Sequence, residues 1–105
     1  MPVDSATIAN QTIDVTSAGQ TKWFDFRSSS VGSIQLVGTA TGYSLTLLRS
    51  NDSVNGEALP GGEVLTPSIK FVSFDCSTFG YLGVRVGTTG TGSPPTLIPL
   101  GKSDR

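Results

Sequence analysis

Eight carboxylates, one thiol and no imidazole define the chemistry open to this chain of 105 residues. The acidic residues are Asp4, Asp14, Asp25, Asp52, Glu57, Glu63, Asp75 and Asp104. A glycosidase needs two carboxyl groups converging across a cleft. These eight are scattered through turns and strand ends, where such residues cap turns and solvate edges. Without His, neither a Ser–His–Asp triad nor a His-ligated metal or haem can be built within this chain. Cys76 stands beside Asp75 with no imidazole to activate it, so it reads as a small buried apolar residue. A single Cys also rules out an internal disulfide. The run Asn51-Asp52-Ser53-Val54-Asn55-Gly56-Glu57 gathers oxygen ligands of the kind calcium takes. Its spacing differs from an EF-hand loop, and the same residue types are those a tight turn demands. Asn51, Asp52 and Asn55 are therefore expected in an exposed turn. Asn10-Gln11-Thr12 and Asn51-Asp52-Ser53 match the glycosylation pattern, and chance explains both, since the first residues lack the charged and apolar regions of a signal peptide. The chain reads as non-enzymatic, with no cofactor and no metal.

These residues must be positioned by strands. The chain holds 14 Ser, 13 Thr and 13 Gly but only 5 Ala, a composition that disfavours helix bundles. Charged residues are 14% of the total and the net charge is -1. That balance supplies no basic stripe for a phosphate backbone, so no nucleic-acid partner is expected. No apolar stretch is long enough to cross a membrane as a helix. Period-two alternation marks candidate strands over residues 8–15, 22–26, 33–37, 43–49, 69–74 and 81–86. Gly38 to Gly42 reads as a hairpin connection, and Pro60-Gly61-Gly62 as a breaker. Residues 69–74, apolar on both faces, read as a central strand. The prediction is an all-β single domain, an antiparallel jelly-roll-like sandwich. Residues 8–87 form its core, between an N-terminal arm over 1–7 and a Thr/Gly/Pro-rich C-terminal arm over 88–105. Thr88 to Ser93 reads as flexible.

Several of these segments carry a further pattern. Ser33-Ile34-Gln35-Leu36-Val37 ends in the turn Gly38-Thr39-Ala40-Thr41-Gly42. Ser44-Leu45-Thr46-Leu47, the loop Ser50-Asn51-Asp52-Ser53-Val54-Asn55 and the strand Tyr81-Leu82-Gly83-Val84-Arg85-Val86 follow. Over roughly residues 32 to 92 the chain resembles small β-sandwich virion proteins of tailed bacteriophages, including capsid decoration (cement) proteins. It departs from their pattern at Ser53, where the loop usually has Gly, and at Gly56, where it usually has an aromatic.

The resemblance implies an assembly role. Such a protein, made in the host cytoplasm, binds the outer capsid surface of the virion and bridges subunits of the phage major capsid protein. It associates with itself as a homotrimer, or as a homodimer. Pro94, Pro95, Leu97, Ile98 and Leu100, on the C-terminal arm, are the candidate capsid or subunit contacts. The alternative is a carbohydrate- or receptor-binding module of a phage tail or fibre, which requires Trp23, Tyr43 or Tyr81 in one exposed patch.

Overall fold

The computed structural model describes residues 5–6, 9–59 and 63–102. Ten strands occur among them. In chain order they are Ser5–Ala6 (β1), Gln11–Thr12 (β2), Thr21–Asp25 (β3), Val31–Val37 (β4), Ser44–Ser50 (β5), Glu57–Ala58 (β6), Val64–Leu65 (β7), Phe71–Asp75 (β8), Tyr81–Thr88 (β9) and Thr96–Lys102 (β10).

The antiparallel pairings are nested. β1 and β2 both pair with β10, β3 pairs with β9, β4 with β8, and β5 with β6 and β7. Two further pairings, β10 with β4 and β9 with β5, weld this folded-over hairpin into two sheets. One sheet runs β1-β10-β4-β8 with β2 beside β1 along β10; the other runs β3-β9-β5-β6 with β7 beside β6 along β5. This is the strand order of a jelly roll.

Alternation explains the layering. On β4, Gly32, Ile34 and Leu36 face inward; on β9, Leu82, Val84 and Val86 do; on β5, Leu45 and Leu47 do. Ile13, Val15, Phe24 and Leu97 join the same core. Neighbouring Gly32 and Gly101, paired across β4 and β10, form a flat floor for Phe26. A Cβ on Gly32 would come within 2.7 Å of the Phe26 ring, and one on Gly101 within 3.1 Å. Phe74 meets Phe26 edge-on, with centroids 5.2 Å apart and planes at 88°. That geometry sets a positive ring edge against a negative face.

The structure corrects five expectations. The C-terminal arm is in large part a strand: β10 lies between β4 and the β1/β2 pair in the first sheet. β10 contains Pro99, which cannot donate to a ladder. The Pro95 carbonyl accepts from Ile13 N–H on the β2 side, and the Lys102 carbonyl accepts from Ser30 N–H on the β4 side. The backbone N–H and C=O groups of odd-numbered residues of β10 therefore point toward β1 and β2, so the missing donor of Pro99 falls on that side and not on the continuous ladder with β4. In the predicted N-terminal arm, Ser5–Ala6 also pairs with β10; the rest of that arm, and residues 103–105, lie outside the described residues.

Thr88 to Ser93 is held rather than slack. Thr41 and Thr91 exchange two backbone hydrogen bonds of 2.9 Å, and Gly90 N–H donates to the Val15 carbonyl. Gly90 lies so close to the Thr41 carbonyl that a side chain there would collide with it. Gly38 to Gly42 is not a hairpin, because β4 and β5 belong to different sheets; it is the corner between them. Finally, β8 is an edge strand of its sheet, and its second apolar face, carrying Phe71, is exposed. The predicted breaker Pro60-Gly61-Gly62 lies outside the described residues.

Candidate functional site

Four of the carboxylates share one local geometry. Asp14, Asp25, Asp52 and Asp75 each accept the backbone N–H two residues ahead, from Thr16, Arg27, Val54 and Ser77 at 2.9–3.0 Å. These are Asx turns, in which a short side chain imitates the next peptide carbonyl and reverses the strand. All four are held below the ordinary carboxylate range, because their donors favour the charged form. The Thr16 hydroxyl leads for Asp14, the Arg27 guanidinium for Asp25 and the Ser77 N–H for Asp75. A general acid requires the opposite shift.

Asp52 is the extreme case and organises the 51–57 loop. Its carboxylate accepts the N–H groups of Asn55 and Val54, then the Asn55 amide at 2.8 Å and the Ser50 hydroxyl at 2.8 Å. Its oxygens are committed to the turn, as the turn reading requires. Asn51 and Asn55 are exposed beside it. Among the described residues, no three His, Cys, Asp or Glu side chains cluster as metal ligands would. Ser53 sits in the left-handed region at φ 60°. This accounts for the Gly usual in the resembling loops: Gly enters that region without the Cβ clash.

Cys76 is buried, with its thiol toward the Ser29 carbonyl at 3.6 Å. Burial pushes the thiol up to about 11, away from the nucleophilic thiolate.

The two outer sheet faces differ. On the β3-β9-β5 sheet, Trp23, Gly83 and Leu48 lie in one row. The indole lies on Gly83, where a Cβ would come within 2.6 Å of the ring, and Leu48 beyond is only 3% exposed although it faces outward. In the next row Arg27 stacks on Tyr81, 5.0 Å from the ring centre, and pairs with Asp25 at 2.8 Å. Tyr43 is buried in the core. Trp23, Tyr43 and Tyr81 therefore do not form a single exposed platform.

The β10-β4-β8 face is bare. Its outward rows are Lys102-Val31-Asp75, Leu100-Ser33-Ser73, Ile98-Gln35-Phe71 and Thr96-Val37. Phe71 is 60% exposed, Val37 49%, Val31 46% and Leu100 45%. A shallow depression of about 790 Å³ runs over part of this face, lined by Val31, Ser33, Phe71, Ser73 and Leu100 among others. Exposed apolar side chains gathered on one face mark an interaction surface more often than scattered ones do.

Of the predicted contact residues, Ile98 and Leu100 stand on this face and Pro94 is exposed at its approach. Pro95 and Leu97 are buried and are withdrawn as contacts. Sequence reading missed Phe71 and Val31. The signal for Phe71 was the alternation Phe71-Ser73-Asp75, opposite Val72 and Phe74.

No family model matches the chain, and no curated protein matches it in sequence. The fold has a solved counterpart. The crystal structure of the SPBc2 prophage-derived protein YomS aligns with a TM-score of 0.63, covering 93% of this chain and 96% of that one. Sequence identity is 11%, so the likeness is one of fold.

Proposed function

We propose that this is a non-enzymatic virion structural protein of a bacteriophage, acting as a decoration protein on the outer capsid surface. The observation that carries the reading is the bare β10-β4-β8 face. It offers Phe71, Leu100, Val31 and Val37 to a protein neighbour while few charges have to be desolvated. The end-to-end likeness to a prophage-derived protein supports a phage setting. The four Asx carboxylates each hold a turn in their charged form and the Cys76 thiol is buried and raised, which accords with a binding role.

In this reading the protein bridges neighbouring major capsid subunits, and many weak contacts become strong by repetition over the shell. The test is co-sedimentation of the purified protein with capsids that lack decoration, followed by cryo-electron microscopy of the product. Density at regular positions on the outer shell, and capsids that survive greater heat, are expected. Free protein left in the supernatant at saturating concentration would end the capsid reading.

A further inference from the structure

We propose that the β10-β4-β8 face docks a second copy of this chain, about a two-fold axis running parallel to β4. The proposal concerns the same face that carries the capsid reading, so a second copy and a capsid subunit compete for it, and the dimer is tested in the absence of capsids.

The three longer rows on this face each take one outward residue from β10, one from β4 and one from β8. A two-fold axis along β4, between two stacked sheets, keeps each row at its own height and exchanges β10 of one copy with β8 of the other. Lys102 then faces Asp75 of the partner subunit, and Asp75 faces Lys102 of the partner subunit. Ile98 meets the partner's Phe71 one sheet edge over, and Leu100 meets the partner's Ser73. Along the axis Val31, Ser33, Gln35 and Val37 each meet their own counterpart. Apolar thus meets apolar or a small hydroxyl, the Gln35 amides can pair with each other, and the two-fold makes two Lys102–Asp75 pairs, one partner for each charge. The other in-plane two-fold, perpendicular to the strands, reverses the rows. It sets the charged Lys102-Val31-Asp75 row over Val37 and Thr96 and leaves both charges without a counterion. Charge complementarity therefore selects the first axis, and a closed two-fold interface is the commonest form of self-association. Stacked sheets pack about 10 Å apart with their strands within about 30° of parallel, a geometry this face allows because its outward side chains are short apart from Phe71, Gln35 and Lys102.

The footprint sets the strength. Three strands about 4.8 Å apart and seven residues of about 3.3 Å give roughly 300 Å² per copy before side-chain relief is added. That is below the area of stable specific interfaces, so the dimer is a weak, transient one that depends on concentration.

The experiment is sedimentation equilibrium of the full chain from about 10 µM to about 1 mM, a range that spans weak association, with thermal melting as the control for folding. A monomer–dimer equilibrium is expected. Phe71→Ser, on a side chain already 60% exposed, should weaken it at least fivefold without lowering the melting temperature. Lys102→Asp, which sets two carboxylates face to face, should weaken it at least tenfold. Asp75→Lys combined with Lys102→Asp should restore it, compared with Asp75→Asn combined with Lys102→Asn, which keeps an acceptor for the Ser77 N–H and should not restore it; that rescue distinguishes a paired contact from general loss of charge. A chain that stays monomeric at about 1 mM overturns the proposal. So does a trimer, or a dimer indifferent to Phe71 and Lys102.

Discussion

The two outer faces are built from the same alternation but finished differently. On the β3-β9-β5 face the chain covers itself: Gly83 gives up its side chain so that Trp23 can lie flat and shelter Leu48. On the β10-β4-β8 face nothing of the kind occurs, and Phe71 and Leu100 remain in water. A sheet can meet its need for apolar cover from within, at the cost of a glycine and a large ring, or leave it to a neighbour. One molecule that does each on opposite sides points to where the neighbour belongs.

The same truncation on the two faces is the sharpest way to break this comparison. Leu48→Ala should cost about 2–3 kcal/mol in urea unfolding, toward the low end for a buried leucine because the indole can settle. Leu100→Ala should change the stability of the dilute monomer by no more than about 0.5 kcal/mol. Equal costs would mean that the β10-β4-β8 face is already covered in solution. Gly83→Ala should cost about 1–3 kcal/mol, because the new methyl lifts the indole. The matched change Ser33→Ala, on the bare face, should be close to neutral.

Smaller effects concern the turns between the faces. Ser53→Gly should stabilise by roughly 0.5–1 kcal/mol, since it relieves a left-handed residue at some entropic cost. In acid, the four Asx carboxylates have folded values below their unfolded ones. Their contribution is present above the ordinary aspartate range near pH 4 and is lost as pH falls through it. The melting temperature should therefore be level from about pH 5 to 8 and fall below about pH 4. Cys76 works in the opposite direction. Its folded value is raised from 9.0 to about 11, so stability is full below 9 and declines as pH climbs toward 11. A thiol reagent should label Cys76 only on unfolding.

Much of this was legible in the sequence. Alternation located the core-facing residues of β4, β5 and β9, and turn chemistry located the Asp52 loop. What alternation could not give was which strand pairs with which. Gly38 to Gly42 has the composition of a hairpin and serves as a corner, because both flanking strands have an apolar face to bury and only the opposite sheet can bury the second. The Thr88–Ser93 tract looked slack because Gly and Thr are common in linkers; here Gly90 is needed for a close backbone approach to Thr41. β10 was hidden because the Thr/Gly tract and Pro94-Pro95 before it have the composition of a linker, and its partners β1, β2 and β4 lie far away in the chain. The bare face was missed because Phe71 in a short apolar run reads as core, and nothing local says that β8 lies at an edge.

The nesting of the strands has a consequence in time. β10, made after the other nine described strands, is the one that joins β4 to β1 and β2. Until it emerges, β4 has one open side and β2 has no partner. The first sheet therefore cannot close until β10 has been made, after every described strand of the second sheet. Folding should be slow for so small a chain, limited by the search for distant partners. A nascent chain stalled before Thr96 should remain open to protease, and removing residues 94–105 should abolish the fold rather than trim it.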